Sequence, residues 1–161
     1  TPKGEPMFKR NEDSPKVIAH PPIIFAAGFL IGVLLNNVAN LSFGLGDAIK
    51  LGWIFIVGGV GIAGWAAWVM SAAGTGIPTN VPATELVVKG PFLRTRNPIY
   101  IGLTLAYLGL ASLMDAPLAL LMMPVILMVM HAGVVLREEA YLEQKFGEAY
   151  TDYCAKTKRY F

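Results

Sequence analysis

The sequence predicts an all-α fold: a polytopic helical bundle set in a membrane, with about four spans. Three observations predict it. Apolar residues make up 55 % of the 161-residue chain and charged residues only 15 %, against roughly 25 % charged in soluble domains. The mean hydropathy is +0.54. The charges are also segregated: residues 17–84 carry only Asp47 and Lys50, residues 97–136 only Asp115, and the rest fall in 1–16, 85–96 and 137–161. Long apolar stretches between charged caps are the signature of a chain solvated by lipid. The same numbers argue against a disordered chain and an ordinary soluble enzyme. One cysteine, Cys154, excludes a disulfide framework and a cysteine-built zinc or iron–sulfur site, and no metal is expected. A net charge of +2 is too small to nominate nucleic acid as a partner.

The elements follow in order. Residues 1–19 form a polar N-terminal segment, and residues 20–161 a membrane domain. The first span, about 21–41, opens on Pro21-Pro22, and the second runs over about 49–71. Each is long enough for a hydrocarbon core of roughly 30 Å, which takes about 20 helical residues. A third, short span covers about 98–114. A fourth covers about 117–136 and contains Pro124, a residue that kinks helices. Met114-Asp115-Ala116-Pro117 reads as a tight turn joining the last two into a hairpin. Pro98 and Pro117 stand where a missing N–H does no harm, in the first helical turn.

Topology follows from the Lys and Arg counts. The N-terminal segment holds four, residues 85–96 three and the tail from Arg137 five, against one in the two opposite turns, Lys50. The positive-inside rule then puts both termini and the loop 72–97 in the cytoplasm. That loop carries Pro78, Pro82 and Pro91 with Gly74, Gly76 and Gly90, so it cannot be one helix, and its length is that of a functional loop. The tail 137–161 is amphipathic, with Leu142, Phe146, Tyr150 and Tyr153 at helical spacing. It can lie on the membrane or fold back over the loop.

Some motifs dissolve on inspection. Gly59, Gly61 and Gly64 spell G-x-G-x-x-G, but inside an apolar span with no strand before it, so close helix packing replaces a dinucleotide site. Gly28 and Gly32 are a second small pair that permits a helix dimer. Other residues gather. His131 is an ionisable group deep in a span, where such groups are expensive. Glu138 follows seven residues later, which puts both on one face of a regular helix. Glu138 and Glu139 point about 100° apart, so one pocket is served well by only one of them. Arg94, Arg96, Asn97 and Tyr100 lie where the loop enters the third span.

At these residues the chain resembles a known family. Gly90-Pro91-Phe92, then Arg96-Asn97-Pro98-Ile99-Tyr100-Ile101-Gly102, then Glu138-Glu139 and Phe146-Gly147-Glu148-Ala149-Tyr150 resemble the isoprenylcysteine carboxyl methyltransferases and the related phospholipid methyltransferases. The resemblance covers about residues 20–161. It implies an integral membrane methyltransferase that uses S-adenosylmethionine in a cytoplasmic pocket built by loop, hairpin ends and tail. Carried over by position, it implies cofactor contacts from Thr84, Glu85, Leu86, Val87, Phe92, Asn97, Pro98, Tyr100 and Glu138. Asn97 stands where eukaryotic relatives have histidine, Phe92 where tyrosine is usual and Glu85 where threonine is common. Asn97 cannot titrate and so cannot be a base.

Physical chemistry adds expected roles. A sulfonium is a cation and suits carboxylates and aromatic faces, which Glu138, Tyr100 and Phe92 supply. Arg96 can pair with the cofactor's carboxylate, bidentately where geometry allows. Displacement at a methyl needs mostly positioning and water exclusion. An amine acceptor must also lose a proton, and His131 and Glu139 are the first bases to test. The catalytic set is thus Arg96, His131 and Glu139. The acceptor is expected to be lipophilic, either an isoprenylcysteine-like carboxylate or a phospholipid amine, reaching the site from the bilayer between the spans. The competing readings are an NADPH-dependent membrane reductase similar to sterol reductases, and a non-catalytic membrane subunit.

Overall fold

The protein is described by a computed structural model for residues 13–44, 46–77, 79 and 81–161. Residues 1–12 of the expected polar N-terminal segment and Pro78 of the loop lie outside the described residues. Six α-helices follow one another: α1 (Pro21–Ala39), α2 (Gly52–Ala72), α3 (Pro98–Leu113), α4 (Pro117–Met130), α5 (Leu136–Phe146) and α6 (Glu148–Lys156). A π turn over His131–Val135 joins α4 to α5 without a break, and 3-10 turns cover Gly46–Leu51 and Gly90–Leu93. Proline opens α1, α3 and α4 in the first turn. Asn40 closes α1 in the left-handed conformation. The helix continues through Pro124.

Three stretches are long and apolar enough to cross a membrane: Pro21–Ala39, Ile49–Ala72 and Pro117–Phe146. The third of the four expected spans, α3, is not among them: its 16 residues reach only about 24 Å. It lies along α2 in antiparallel register, Gly109 against Gly52 and Gly102 against Gly59. A methyl group on Gly59 or Gly102 would strike the other's carbonyl oxygen, so these glycines set how closely the two backbones approach. Of the G-x-G-x-x-G run only Gly59 packs; Gly61 and Gly64 face open space. In the same way α1 runs antiparallel to α4, Gly28 against Ile126 and Gly32 against Ala119. The Gly28/Gly32 pair is therefore used within the chain, and the expected provision for a helix dimer is corrected.

A thin core joins the two pairs. Tyr107 of α3 is 3 % exposed, stacks edge-on against Phe25 and Phe29 of α1 and donates its hydroxyl to Ala119 O of α4 at 2.6 Å. The outward faces stay apolar, as at Leu34, Val38, Ile54, Val57 and Leu121; this is the surface that lipid covers.

The continuous helix Pro117–Phe146 has 30 residues, about 45 Å, well beyond a hydrocarbon core of roughly 30 Å. Its charged end, from Arg137, therefore stands clear of the bundle as α5. Three segments gather on it. The N-terminal strap donates Ile18 N–H to Gly133 O at 3.1 Å and receives the Arg137 guanidinium on Lys16 O at 2.7 Å. The loop gives Ala83 N–H to the Tyr141 hydroxyl at 3.1 Å. The tail turns back at Gly147, whose φ of 53° few other residues adopt, so α6 lies over the loop. Of the two fates open to the tail, folding back is the one adopted.

Candidate functional site

The meeting of loop, α3 and α5 leaves a two-lobed cavity. One lobe, of ≈ 650 Å³, lies between the strap, the loop and the start of α3. The other, of ≈ 570 Å³, extends under Glu85, Leu86 and Val87 toward α6. Met70, Phe92, Arg96, Asn97, Glu138 and Leu142 are walls of both.

The short turn Gly90–Leu93 swings Phe92 inward, and its carbonyl accepts the Tyr153 hydroxyl at 2.7 Å. Beyond it the chain is extended, and tail residues pair with it as with a strand. Arg96 N–H donates to Lys158 O at 2.9 Å, and Thr95 and Lys158 form a parallel bridge. Arg159 O accepts from Thr95 Oγ1 at 3.1 Å and from Asn97 Nδ2 at 3.0 Å. Asn97, 8 % exposed, thus holds the tail while standing in the cavity wall. Burial of Tyr150 and Tyr153, the two buried residues of α6, raises both phenols above their ordinary value, and the charge of Glu139 adds to the rise at Tyr150; both remain neutral at any physiological pH.

The two adjacent carboxylates have different partners, as their helical spacing requires. Glu138 accepts the Tyr100 hydroxyl on both oxygens, at 2.6 and 2.8 Å. Glu139 accepts Arg96 Nη2 at 2.9 Å on Oε1, and Arg159 Nε and Nη2 at 2.9 and 2.8 Å on its two oxygens. Three guanidinium bonds leave Glu139 poorly placed to act as a base. Arg96 Nη1 points at the carbonyls of Cys154 and Thr157, both at 3.4 Å. Its Nε is buried and has no partner among the described residues. An unpaired buried N–H is costly, and this one belongs to a residue that lines both lobes. Arg96 Nε–H is therefore a donor held in reserve for a ligand.

Most of the expected set is brought together. Glu85, Leu86, Val87, Phe92, Arg96, Asn97, Pro98, Tyr100, Glu138 and Glu139 all line one lobe or both. Two residues do not. Thr84 is exposed and donates its hydroxyl to Gly74 O at 3.0 Å, closing the loop rather than facing the cavity. His131 lines a different space, an apolar groove of ≈ 1420 Å³ between α3 and α4. The expected shared face of His131 and Glu138 assumed a regular helix. The intervening π turn, which holds more residues per turn, slips that register. Tyr100 lines both the cavity and the groove and is where they meet. Among the described residues no group of three or more His, Cys, Asp or Glu is arranged to hold a metal.

Sequence reasoning missed Arg159, Tyr160, Tyr141 and Met70. Arg159 and Tyr160 follow the last helix in an extended stretch without periodicity, so no spacing marks them. Tyr141 lies beside the apolar spacing of Leu142 and Phe146 on α5 and is not marked by it.

A sequence profile of the phospholipid methyltransferase family matches residues 48–149, a stretch from the first residues before α2 into α6. Comparison with curated proteins and with solved structures finds no match.

Proposed function

The chain belongs to the phospholipid methyltransferase family, a family of membrane methyltransferases, and on that premise we propose that it transfers the methyl group of S-adenosylmethionine to a lipophilic acceptor. The observation that carries the reading is the position of Tyr100, which walls the cavity holding Arg96 and Glu138 on one side and an apolar groove on the other.

The cavity's residues fit the donor. The buried Arg96 Nε without a partner suits a single carboxylate oxygen. Glu138, free of any arginine, suits an amine, a ribose hydroxyl or the cationic sulfur. Phe92 and Tyr100 supply ring faces for that cation, and Leu86, Val87 and Leu142 supply apolar walls. When bound, S-adenosylmethionine supplies an electrophilic methyl on a positive sulfur, and its transfer leaves a neutral thioether. The chain's task is orientation and exclusion of water. Pro98 and Asn97 fix the start of α3 and hence Tyr100. Glu139 holds Arg96 and Arg159 in place and is a counter-ion rather than a base.

The groove supports a lipophilic acceptor, because its walls are almost all apolar side chains of α1, α3 and α4. Of the two acceptor classes, a phospholipid amine is favoured over a carboxylate. Arg96 and Arg159 are both engaged by Glu139, whereas Glu138 has no arginine partner and its burial raises its carboxyl to about 7, so it suits an ammonium at the junction and takes the proton that the amine must lose before the methyl is transferred. With nine of the ten Lys and Arg residues among the described residues on the loop side, the cavity is assigned to the cytoplasmic face.

The test is thermal unfolding of purified protein with S-adenosylhomocysteine, S-adenosylmethionine or NADPH. Ligands that bind the native state raise the midpoint. Stabilisation by the first two alone is expected. Stabilisation by NADPH alone would favour the reductase reading, and no response to any would favour a non-catalytic subunit. Transfer of labelled methyl to a membrane lipid extract, with identification of the product, then names the acceptor.

A further inference from the structure

His131 is polar, half-buried and placed in a groove that is otherwise apolar. Its surroundings decide which way its hydrogen bonds run. The groove has three other polar side chains: Tyr100, Thr104 and Tyr160. The Tyr100 hydroxyl donates to Glu138 at 2.6 Å, and the Thr104 hydroxyl donates to Tyr100 O within its own helix at 2.8 Å. The Tyr160 hydroxyl lies 2.8 Å from His131 Nδ1 and has no other hydrogen-bond partner among the described residues.

A hydroxyl in an apolar groove needs an acceptor for its hydrogen. Among the described residues the only one within reach of Tyr160 is His131 Nδ1. If Tyr160 donates to Nδ1, a neutral imidazole carries its own hydrogen on Nε2. Nε2 has no protein partner among the described residues. His131 therefore presents a lone N–H to a groove that lipid can enter and that Tyr100 also lines. In a medium without water such a donor is unsatisfied until a ligand oxygen reaches it.

Tyr160 is itself held firmly. Its neighbours Lys158 and Arg159 give their carbonyls to Arg96, Thr95 and Asn97, and the Arg159 side chain is clamped on Glu139. The tautomer of His131 is thus set by a tail segment that also forms the cavity wall.

We propose that His131 and Tyr160 form a docking site for the head of a phospholipid in the groove, with His131 Nε2–H donating to a phosphodiester or ester oxygen. Here His131 is a donor that positions the acceptor, and it does not take the acceptor's proton. This rests on the methyltransferase reading only for the identity of the lipid as acceptor; the docking site itself does not.

Two measurements test it. The chain has two histidines, His20 and His131, so nitrogen-15 histidine labelling gives a readable spectrum, assigned with a His20→Gln variant. Detergent-solubilised protein is expected to show His131 protonated at Nε2 and bare at Nδ1. Dioleoyl phosphatidylethanolamine should shift the Nε2–H resonance, and octadecane, which has chains but no oxygen, should not. In Tyr160→Phe the tautomer preference should be lost. A hydrogen on Nδ1 in the wild type, or equal shifts with lipid and alkane, would overturn the docking site whatever the reaction proves to be.

The second measurement is methyl transfer to dioleoyl phosphatidylethanolamine, with S-adenosylhomocysteine binding measured separately. His131→Gln keeps a donor but cannot act as a base, and should hold kcat within about threefold. His131→Leu and Tyr160→Phe should each raise KM for the lipid about tenfold, the effect of losing one hydrogen bond to a charged group, with S-adenosylhomocysteine binding unchanged. Collapse of kcat in His131→Gln would make His131 a base and sink the proposal. A wild type that binds S-adenosylhomocysteine but leaves this lipid unmethylated sinks the acceptor's identity alone. A wild type that binds neither removes the underlying reading, and the resonance experiment then decides the site.

Discussion

The two ends of this bundle close in opposite ways. At the turn end, polar groups are satisfied by residues close to the helix ends they cap. Asp115, in the left-handed conformation between α3 and α4, takes the Ser42 hydroxyl and, at 2.9 Å, the Phe43 N–H just past α1. Asn36 donates to Leu41 O at 3.0 Å and accepts Leu118 N–H at 3.2 Å. At the loop end the polar groups come from a long loop, the strap and an extended tail, and among the described residues one buried donor, Arg96 Nε, is left over. A short closure whose buried polar side chains are paired, among the described residues, serves the fold. A long closure with an open donor leaves room for a ligand.

The largest expected effects should therefore fall on ligand binding and be confined to the loop end. Arg96→Ala and Glu138→Gln should each weaken S-adenosylhomocysteine binding by about 10- to 100-fold, the range for losing a hydrogen bond to a charged group at roughly 1.5–3 kcal/mol. Calorimetric titration reads this. Wild-type affinity in either variant would remove that residue from the site and weaken the contrast between the ends. Next in size is a change between the ends. Tyr107→Phe removes the hydroxyl from a buried contact with Ala119 O and should lower stability by about 1 kcal/mol while leaving S-adenosylhomocysteine affinity within about twofold.

The contrast also explains what was legible beforehand. The apolar spans, the proline starts and the Met114–Pro117 turn could be read because each depends on neighbours within a turn or two. Tyr100 and the Glu138-Glu139 pair could be read because helical spacing and a family motif both mark them. Their separate partners followed from the angle between adjacent helical positions. Thr84 was misplaced because a motif position does not tell whether a hydroxyl faces the cavity or its own loop. His131 was misplaced because the Ala-Gly-Val-Val stretch after it gives no sign of a π turn. Arg159 and Tyr160 went unseen because they reach the site through backbone pairing with residues 95–97, a contact between extended segments with no periodicity. The small pair Gly28/Gly32 was read correctly as a packing surface and assigned to the wrong neighbour.

A smaller effect belongs to the turn end. The Ser42 hydroxyl and then the Phe43 N–H hold the Asp115 carboxyl below its ordinary 3.8. A carboxylate whose pKa is depressed on folding contributes stability above the unfolded value and loses it as pH falls through the folded one. Asp115→Asn should therefore lower the unfolding midpoint by a few degrees at pH 6. The gap to wild type should narrow as the pH is taken below 3.8. Binding of S-adenosylhomocysteine should not change, because Asp115 lies at the far end from the cavity. A loss of binding in this variant would mean that the two ends are coupled.

The smallest effect sharpens the comparison at the loop end itself. Lys145 reaches Asp13 of the strap at 2.6 Å, and both contact the Tyr141 hydroxyl that receives Ala83 N–H from the loop. The ion pair is exposed and open to salt, so by itself it contributes little. Asp13 is held below its ordinary value chiefly by Lys145, and Lys145 above its own chiefly by Asp13. The pair is thus intact across neutral pH and is lost in acid as Asp13 takes up a proton. Lys145→Gln should leave the unfolding midpoint within about 2 °C, as exposed charge changes usually do, and should keep S-adenosylhomocysteine affinity within about twofold. What it should change is the strap. Backbone amide exchange at Val17 and Ile18 should quicken, because Ile18 N–H is held only by Gly133 O once the clasp is released. If instead binding falls as far as in Arg96→Ala, the strap is part of the cavity's machinery, and the loop end closes over its ligand from two sides.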